Sequence, residues 1–183
     1  ILYKDLFNIY GPFSYLYNAF LFKIFGINLN FLYISGIFTA TAIITLVYLI
    51  SKEFFNKFLS FSITAVTIVM GGFSFHIFNY IFPYSFGMTY GMAFCLASIY
   101  LLILFISKNN SILLYLSTFF AGLAISSKYE FIPYCLIFIY VAFKNKLSLK
   151  QIIVSFVTLM IAPIVMLGFL FYQGVNCHDL IRN

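Results

Sequence analysis

The sequence is poor in charge. Only 8% of its 183 residues are Asp, Glu, Lys or Arg, and just 4 of these are acidic. Water-soluble domains are about a quarter charged and about half apolar, whereas this chain is 64% hydrophobic with a mean hydropathy of +1.07. The deficit excludes a soluble enzyme and a disordered tail, because a globule of this length has too little interior for so much apolar surface. Cysteine is scarce as well. Cys95, Cys135 and Cys177 make no C-x-x-C pair, and an odd count is no disulfide framework. Cys95 and Cys135 fall in apolar runs and read as small buried thiols. Trp is absent, so the aromatic content rests on 26 Phe and 15 Tyr. No basic cluster alternates with exposed aromatics, so no nucleic-acid groove is expected. No His/Cys/Asp/Glu set has metal-ligand spacing, and there is neither a phosphate-cradling glycine loop nor a G-x-S-x-G. No metal or nucleotide cofactor is therefore expected.

Long apolar runs are what the sequence does contain. A helix crosses a hydrocarbon layer of about 30 Å with about 20 residues. Residues 31–50, 58–75, 86–106 and 152–172 supply four such runs, and the shorter runs 112–127 and 131–143 flank the polar turn Ser127-Lys128-Tyr129-Glu130. The stretch Phe13–Phe25 is too short to cross comfortably and carries Ser14, Asn18 and Lys23. It predicts a helix lying at the interface, begun by Gly11-Pro12 and stopped by Gly26, with a short extra span as the alternative. The predicted fold class is all-α, a polytopic membrane helix bundle. About six spans occupy 31–172, after an outer loop and interfacial helix in 1–30 and before an outer loop in 173–183. Gly36, Gly91 and Pro163 are expected to interrupt their spans.

The lysines assign the two sides. Loops 51–57, 107–111 and 144–151 carry Lys52, Lys57, Lys108, Lys144, Lys146 and Lys150, with Glu53 their only acid. The opposite side carries Lys4, Lys23, Lys128 and Arg182 over longer segments, with Asp5, Glu130 and Asp179. The positive-inside bias puts the six-lysine side in the cytoplasm of a multi-pass cell-membrane protein. On the outer side one loop reads HIFNYIFPYSFG, with His76, Asn79, Tyr80, Tyr84 and Ser85, and the next turn reads SSKYEF. The segments around SSKYEF reach only about 24 and 20 Å, so the turn is expected below the headgroup plane, with Lys128 and Glu130 lining a recessed outer cavity.

The order of these features resembles the membrane module of GT-C glycosyltransferases, closest to the protein O-mannosyltransferases and aminoarabinose–lipid A transferases. The matching pieces are Tyr3-Lys4-Asp5, Gly11-Pro12, Phe25-Gly26, the basic stretch 51–57, and AGLAISSKYEF with Gly122 and Lys128 as anchors. The chain departs from that pattern at Gly11, where Lys is frequent, and around Pro83, where an Asp is frequent. The family's acidic pair follows its first span and would precede Ile1, so the chain is expected to be the middle part of a longer module.

The resemblance implies transfer of a sugar from a polyprenyl-phosphate donor to a hydroxyl of a glycan, lipid or protein acceptor at the outer face of a bacterial membrane. Membrane lipid is then a partner, nucleic acid is not, and the lipid-linked sugar is a substrate rather than a cofactor. Such chemistry requires a carboxylate for the acceptor's proton and a cation for the departing phosphate. Lys128 suits the phosphate as a point charge, and its plainer role is a counter-ion to Glu130. Glu130 would orient Lys128 or touch the sugar, or merely cap the turn. Asp5 would bind donor or acceptor hydroxyls, or pair with Lys4 in a solvated loop. His76 would donate to phosphate or sugar, and Tyr80, Tyr84 and Tyr129 would stack on the sugar, where an interfacial aromatic belt is the plainer account. The main base is expected upstream of Ile1. The rival classes are a transporter or lipid flippase, a polysaccharide polymerase, and a structural subunit. With the native cysteines replaced by serine, Lys128→Cys and Glu130→Cys should both react with an impermeant maleimide added from the outside, and reaction only from the cytoplasmic side would reverse the sidedness.

Overall fold

The computed structural model describes residues 10–73 and 79–176, and among them every regular element is helical. Helix α1 is Phe13–Phe25, started by Pro12 and closed by Gly26, whose φ of 86° suits glycine. These are the bounds that the sequence predicts. Helix α2, Leu29–Phe54, is capped by Asn28, whose side chain accepts from Asn30 N–H at 2.9 Å. It runs through most of the stretch expected to be a basic loop, since Ser-Lys-Glu-Phe contains nothing that breaks a helix. Only Phe55 and Asn56 separate it from α3, Lys57–Thr67, and Asn56 caps α3 by accepting from Leu59 N–H. Helix α3 continues into a π-helical turn, Ile68–Gly72.

Helix α4, Phe86–Lys108, meets α5, Ser111–Ser127, through Asn109 in the left-handed region (φ 51°) and Asn110, which caps α5. The segment expected as one helix over 131–143 is two pieces, a 3-10 helix Tyr129–Tyr134 and then α6, Cys135–Lys144. Pro133 accounts for the difference, because it lacks the N–H that an α-helix would direct to the carbonyl of Tyr129. Helix α7, Leu149–Tyr172, opens with a capping box between Ser148 and Gln151.

Three of these helices, α2, α4 and α7, are long and apolar enough to cross a membrane. At 1.5 Å per residue they reach about 39, 35 and 36 Å. The interruptions expected at Gly36, Gly91 and Pro163 do not occur, and all three helices run through unbroken. A Cβ on Gly36 would strike the carbonyl of Ile81 and one on Gly91 the ring of Phe131, so both glycines are contact points.

Helix α5 is central, packed on α4 at one side and α7 at the other, while α2 covers α4 and α3 covers α2. Helix α1 touches α2, α4 and α5. The seams are built from small polar residues. Ser98 Oγ donates to the Ser117 carbonyl at 2.6 Å, Ser117 Oγ donates back to the Ser98 carbonyl at 2.7 Å, and Tyr134 OH adds a bond to Ser98 Oγ. Thr118 and Thr158 join α5 to α7 at 2.6 Å, and Gln151 reaches Ser111. Lipid tails are as apolar as Leu, so helices in a bilayer associate through this kind of close packing and hydroxyl bonding. The apolar side chains accordingly face outward: only 6% of the most apolar stretch of α7 is buried, with Phe156, Val157, Ile164 and Val165 exposed.

The buried Ser98–Ser117 clasp should matter more than its size suggests. Ser117→Val adds bulk and removes a donor, and should destabilise by about 1–2 kcal/mol. The readout is a lower melting temperature in detergent, with Ser107→Val on the exposed surface leaving it unchanged.

Candidate functional site

Lys128 sits where α5 ends. Its backbone is extended (φ −156°, ψ 127°), its N–H still donates to the Ala124 carbonyl at 3.0 Å, and its carbonyl accepts from Phe131 N–H at the start of the 3-10 helix. The end of α5 is small and buried at Ala121, Gly122, Ala124, Ser126 and Ser127, which lets α1 and α4 close around it. Gly87 of α4 fits this collar because a Cβ there would lie 2.8 Å from the Ser127 carbonyl and 3.3 Å from Ser14 Oγ. The packing fixes the root of the Lys128 side chain.

The ammonium group has two partners. Nζ lies 2.9 Å from Glu130 Oε2 and 5.4 Å from the centre of the Tyr10 ring. The two ends of the ion pair differ sharply, the Lys128 side chain being 13% exposed and that of Glu130 76%. Sequence reasoning expects both to line a cavity; Lys128 is the shielded end of the pair and Glu130 the exposed one. A cleft of about 200 Å³ opens beside Lys128, walled by Tyr10, Tyr80, Tyr84, Ser85 and Thr89, with Met88 and Met92 as its apolar side.

Loop 79–85 brings the tyrosines in. Asn79 Oδ1 accepts from Ile81 N–H at 2.8 Å and from Phe82 N–H at 3.0 Å, turning the chain tightly. Tyr80 N–H donates to the Gly71 carbonyl at 2.7 Å, and its ring lies against Gly71 of the π-helical turn, where no Cβ would fit. Burial pushes the Tyr80 phenol above its ordinary value, so it remains a neutral donor through the physiological range. Tyr84 is exposed at the mouth.

Of the residues singled out by sequence, Lys128, Asn79, Tyr80, Tyr84 and Ser85 converge on this cleft. Glu130 reaches it only through Lys128, and Tyr129, 45% exposed, is not part of its wall. Asp5 and His76 lie outside the described residues. Sequence reasoning missed Tyr10, Thr89, Met88 and Met92 as members. Ser85, Met88, Thr89 and Met92 sit three and four positions apart along one helical face, a spacing visible in the sequence. Tyr10 gave only the hint of preceding Gly11-Pro12. A second hollow of about 340 Å³ lies on another face of α4, lined by Phe13, Tyr17, Phe38, Tyr90 and Phe94. There Tyr90 OH is held by Asn18 and Ser35 at 2.9 and 3.0 Å, a junction of α1, α2 and α4.

A shielded cation, a neutral phenol donor and an apolar wall suit an anionic headgroup carrying a hydrocarbon tail. The acidic residues among the described ones are Glu53 and Glu130, and no group of His, Cys, Asp and Glu there could hold a metal ion. The sequence matches no protein-family model, no curated protein and no solved structure. The site thus rests on its own geometry.

Gly87→Val should overpack the collar by about 1–3 kcal/mol. The melting temperature should fall and Lys128 should become more reactive toward an amine-modifying reagent. No change in either would separate the collar from the placement of Lys128.

Proposed function

We propose that the chain is part of a membrane glycosyltransferase that moves a sugar from a polyprenyl-phosphate donor to an acceptor hydroxyl at the outer face. The observation that carries the reading is the recessed Lys128 in a tyrosine-walled cleft, remote in sequence from the six lysines of the opposite loops. In this reading all six apolar segments span. The rise of about 2.0 Å per residue in a 3-10 helix lets Tyr129–Tyr134 add about 12 Å to the 15 Å or so of α6. The combined segment then approaches the hydrocarbon thickness that α6 alone falls short of.

The chemistry follows from charge. The bond between the anomeric carbon and the phosphate oxygen breaks, and polyprenyl phosphate leaves with its electron pair. Lys128 meets the growing negative charge, exchanging Glu130 for the phosphate, and Tyr80 donates beside it. Tyr10 and Tyr84 offer faces to the sugar, while Met88 and Met92 receive the first carbons of the tail. The acceptor oxygen forms the new glycosidic bond and its proton passes to a carboxylate, with Asp5 the candidate in this chain. A transporter of lipid-linked sugars is the second reading. It draws on two departures from α-helical register, the π-helical turn Ile68–Gly72 at the end of α3 and the 3-10 helix Tyr129–Tyr134 at the start of α6, because transporters bind substrate where helices are irregular.

Full-length protein supplied with a labelled polyprenyl-phosphate sugar and acceptor should release polyprenyl phosphate. Lys128→Ala should slow that release by about 100-fold with normal membrane insertion. An unaltered rate would remove Lys128 from the mechanism, and passage of intact donor across proteoliposomes without release would favour the transporter.

A further inference from the structure

The cytoplasmic half of the bundle, opposite the Lys128 cleft on the membrane reading above, holds a larger hollow that the transferase chemistry leaves unused. It measures about 380 Å³ and lies between α5, α6 and α7, walled by Leu114 and Thr118, by Phe138 and Ala142, and by Phe156 and Leu159. That volume falls within the range of sites that hold small molecules. From Ile152 to Met160 it follows α7 for about 12 Å. In its wall is Ser155, whose Oγ is buried without a hydrogen-bond partner. A buried hydroxyl left unpaired is uncommon and calls for an acceptor.

One end of the groove is tied to charge. Leu147 lines it and also packs on the cluster of Leu102, Phe105, Leu114 and Val141, which anchors the loop between α6 and α7. Lys144 ends α6 with its Nζ 5.7 Å from the Tyr140 ring, Lys146 lies in the loop and Lys150 is in the first turn of α7, all exposed and all within three residues of Leu147, and no acid lies between positions 144 and 151. An apolar slot that reaches Leu147, within a stretch of three lysines and no acid, complements one kind of lipid. We propose that this groove binds an anionic glycerophospholipid of the cytoplasmic leaflet, with an acyl chain between α5, α6 and α7 and the phosphate at the lysine loop. Ser155 Oγ donates to an ester carbonyl of that lipid. A second copy of the chain fits poorly, since its net charge of +6 would meet a basic rim. The inference rests on the membrane reading of the chain and not on its being a transferase.

Native mass spectrometry of the full chain in detergent, with equal amounts of dioleoyl phosphatidylglycerol or dioleoyl phosphatidylcholine, tests this without measuring turnover. The anionic lipid should be retained at least about tenfold better and should raise the melting temperature. Replacing Lys144, Lys146 and Lys150 together by Gln should abolish the preference, and Ala142→Phe should reduce retention of both lipids. Equal retention by the unaltered protein would overturn the proposal, whatever the variants do. So would a preference that survives the triple substitution, an equal thermal shift from glycerol 3-phosphate alone, or a dimer that Ala142→Phe dissolves.

Discussion

Everything in this structure depends on helices that approach closely enough to share hydrogen bonds. In a bilayer no hydrophobic force pushes two helices together, and association rests on backbone proximity and hydroxyl groups. The reciprocal bonds between Ser98 and Ser117 supply that for α4 and α5, and Thr118 with Thr158 does so for α5 and α7. The inverted distribution of side chains follows. Ser, Thr, Ala and Gly fill the buried seams, while Phe, Ile and Val cover the outside. The cluster of Leu102, Phe105, Leu114 and Val141 is a small apolar core, confined to one end of the bundle.

The cleft is a product of the same constraint. The small residues that let α5 nest between α1 and α4 end at Lys128, the first large polar side chain of that run. It emerges where the close packing stops and is walled by what the neighbouring elements present there, chiefly Tyr10, Tyr80 and Thr89. Shielding strengthens its attraction for an anion, while the hydrated Glu130 keeps the charge compensated without sealing it. A more deeply buried pair would cost more to separate when a ligand arrives.

How much of this was legible in the sequence depended on whether the signal was local. Pro12 and Gly26 mark both ends of α1, and Ser127-Lys128 marks the end of α5, because proline, glycine and a charge after an apolar run act within one turn. At the end of α2 polarity suggests a loop, although Ser-Lys-Glu is compatible with helix and the helix continues to Phe54. The 3-10 helix at Pro133 and the π-helical turn before Phe73 are departures of hydrogen-bond register, to which hydropathy is blind. Lys128, Tyr80 and Tyr84 were found through charge and loop position. Tyr10 and Thr89 join them only through packing between distant parts of the chain. Glu130 does pair with Lys128, but Lys128 ends α5 in extended backbone while Glu130 stands on the first turn of the 3-10 helix, so the carboxylate meets the ammonium group from the exposed side.

The unequal heights of α6 and α7 bear on the surrounding bilayer. The 24-residue α7 reaches about 36 Å, whereas the 3-10 helix and α6 together reach about 27 Å, and both present apolar side chains outward. In a bilayer spanned by both segments, lipids along that flank would meet a taller hydrophobic wall next to a lower one, and the leaflets would thin or tilt to cover both. Such elastic distortion is smallest in membranes that are already thin. On the six-span reading, hydrophobic mismatch would give the chain a thickness preference, independent of any ligand, that would draw it toward thin regions of a heterogeneous membrane.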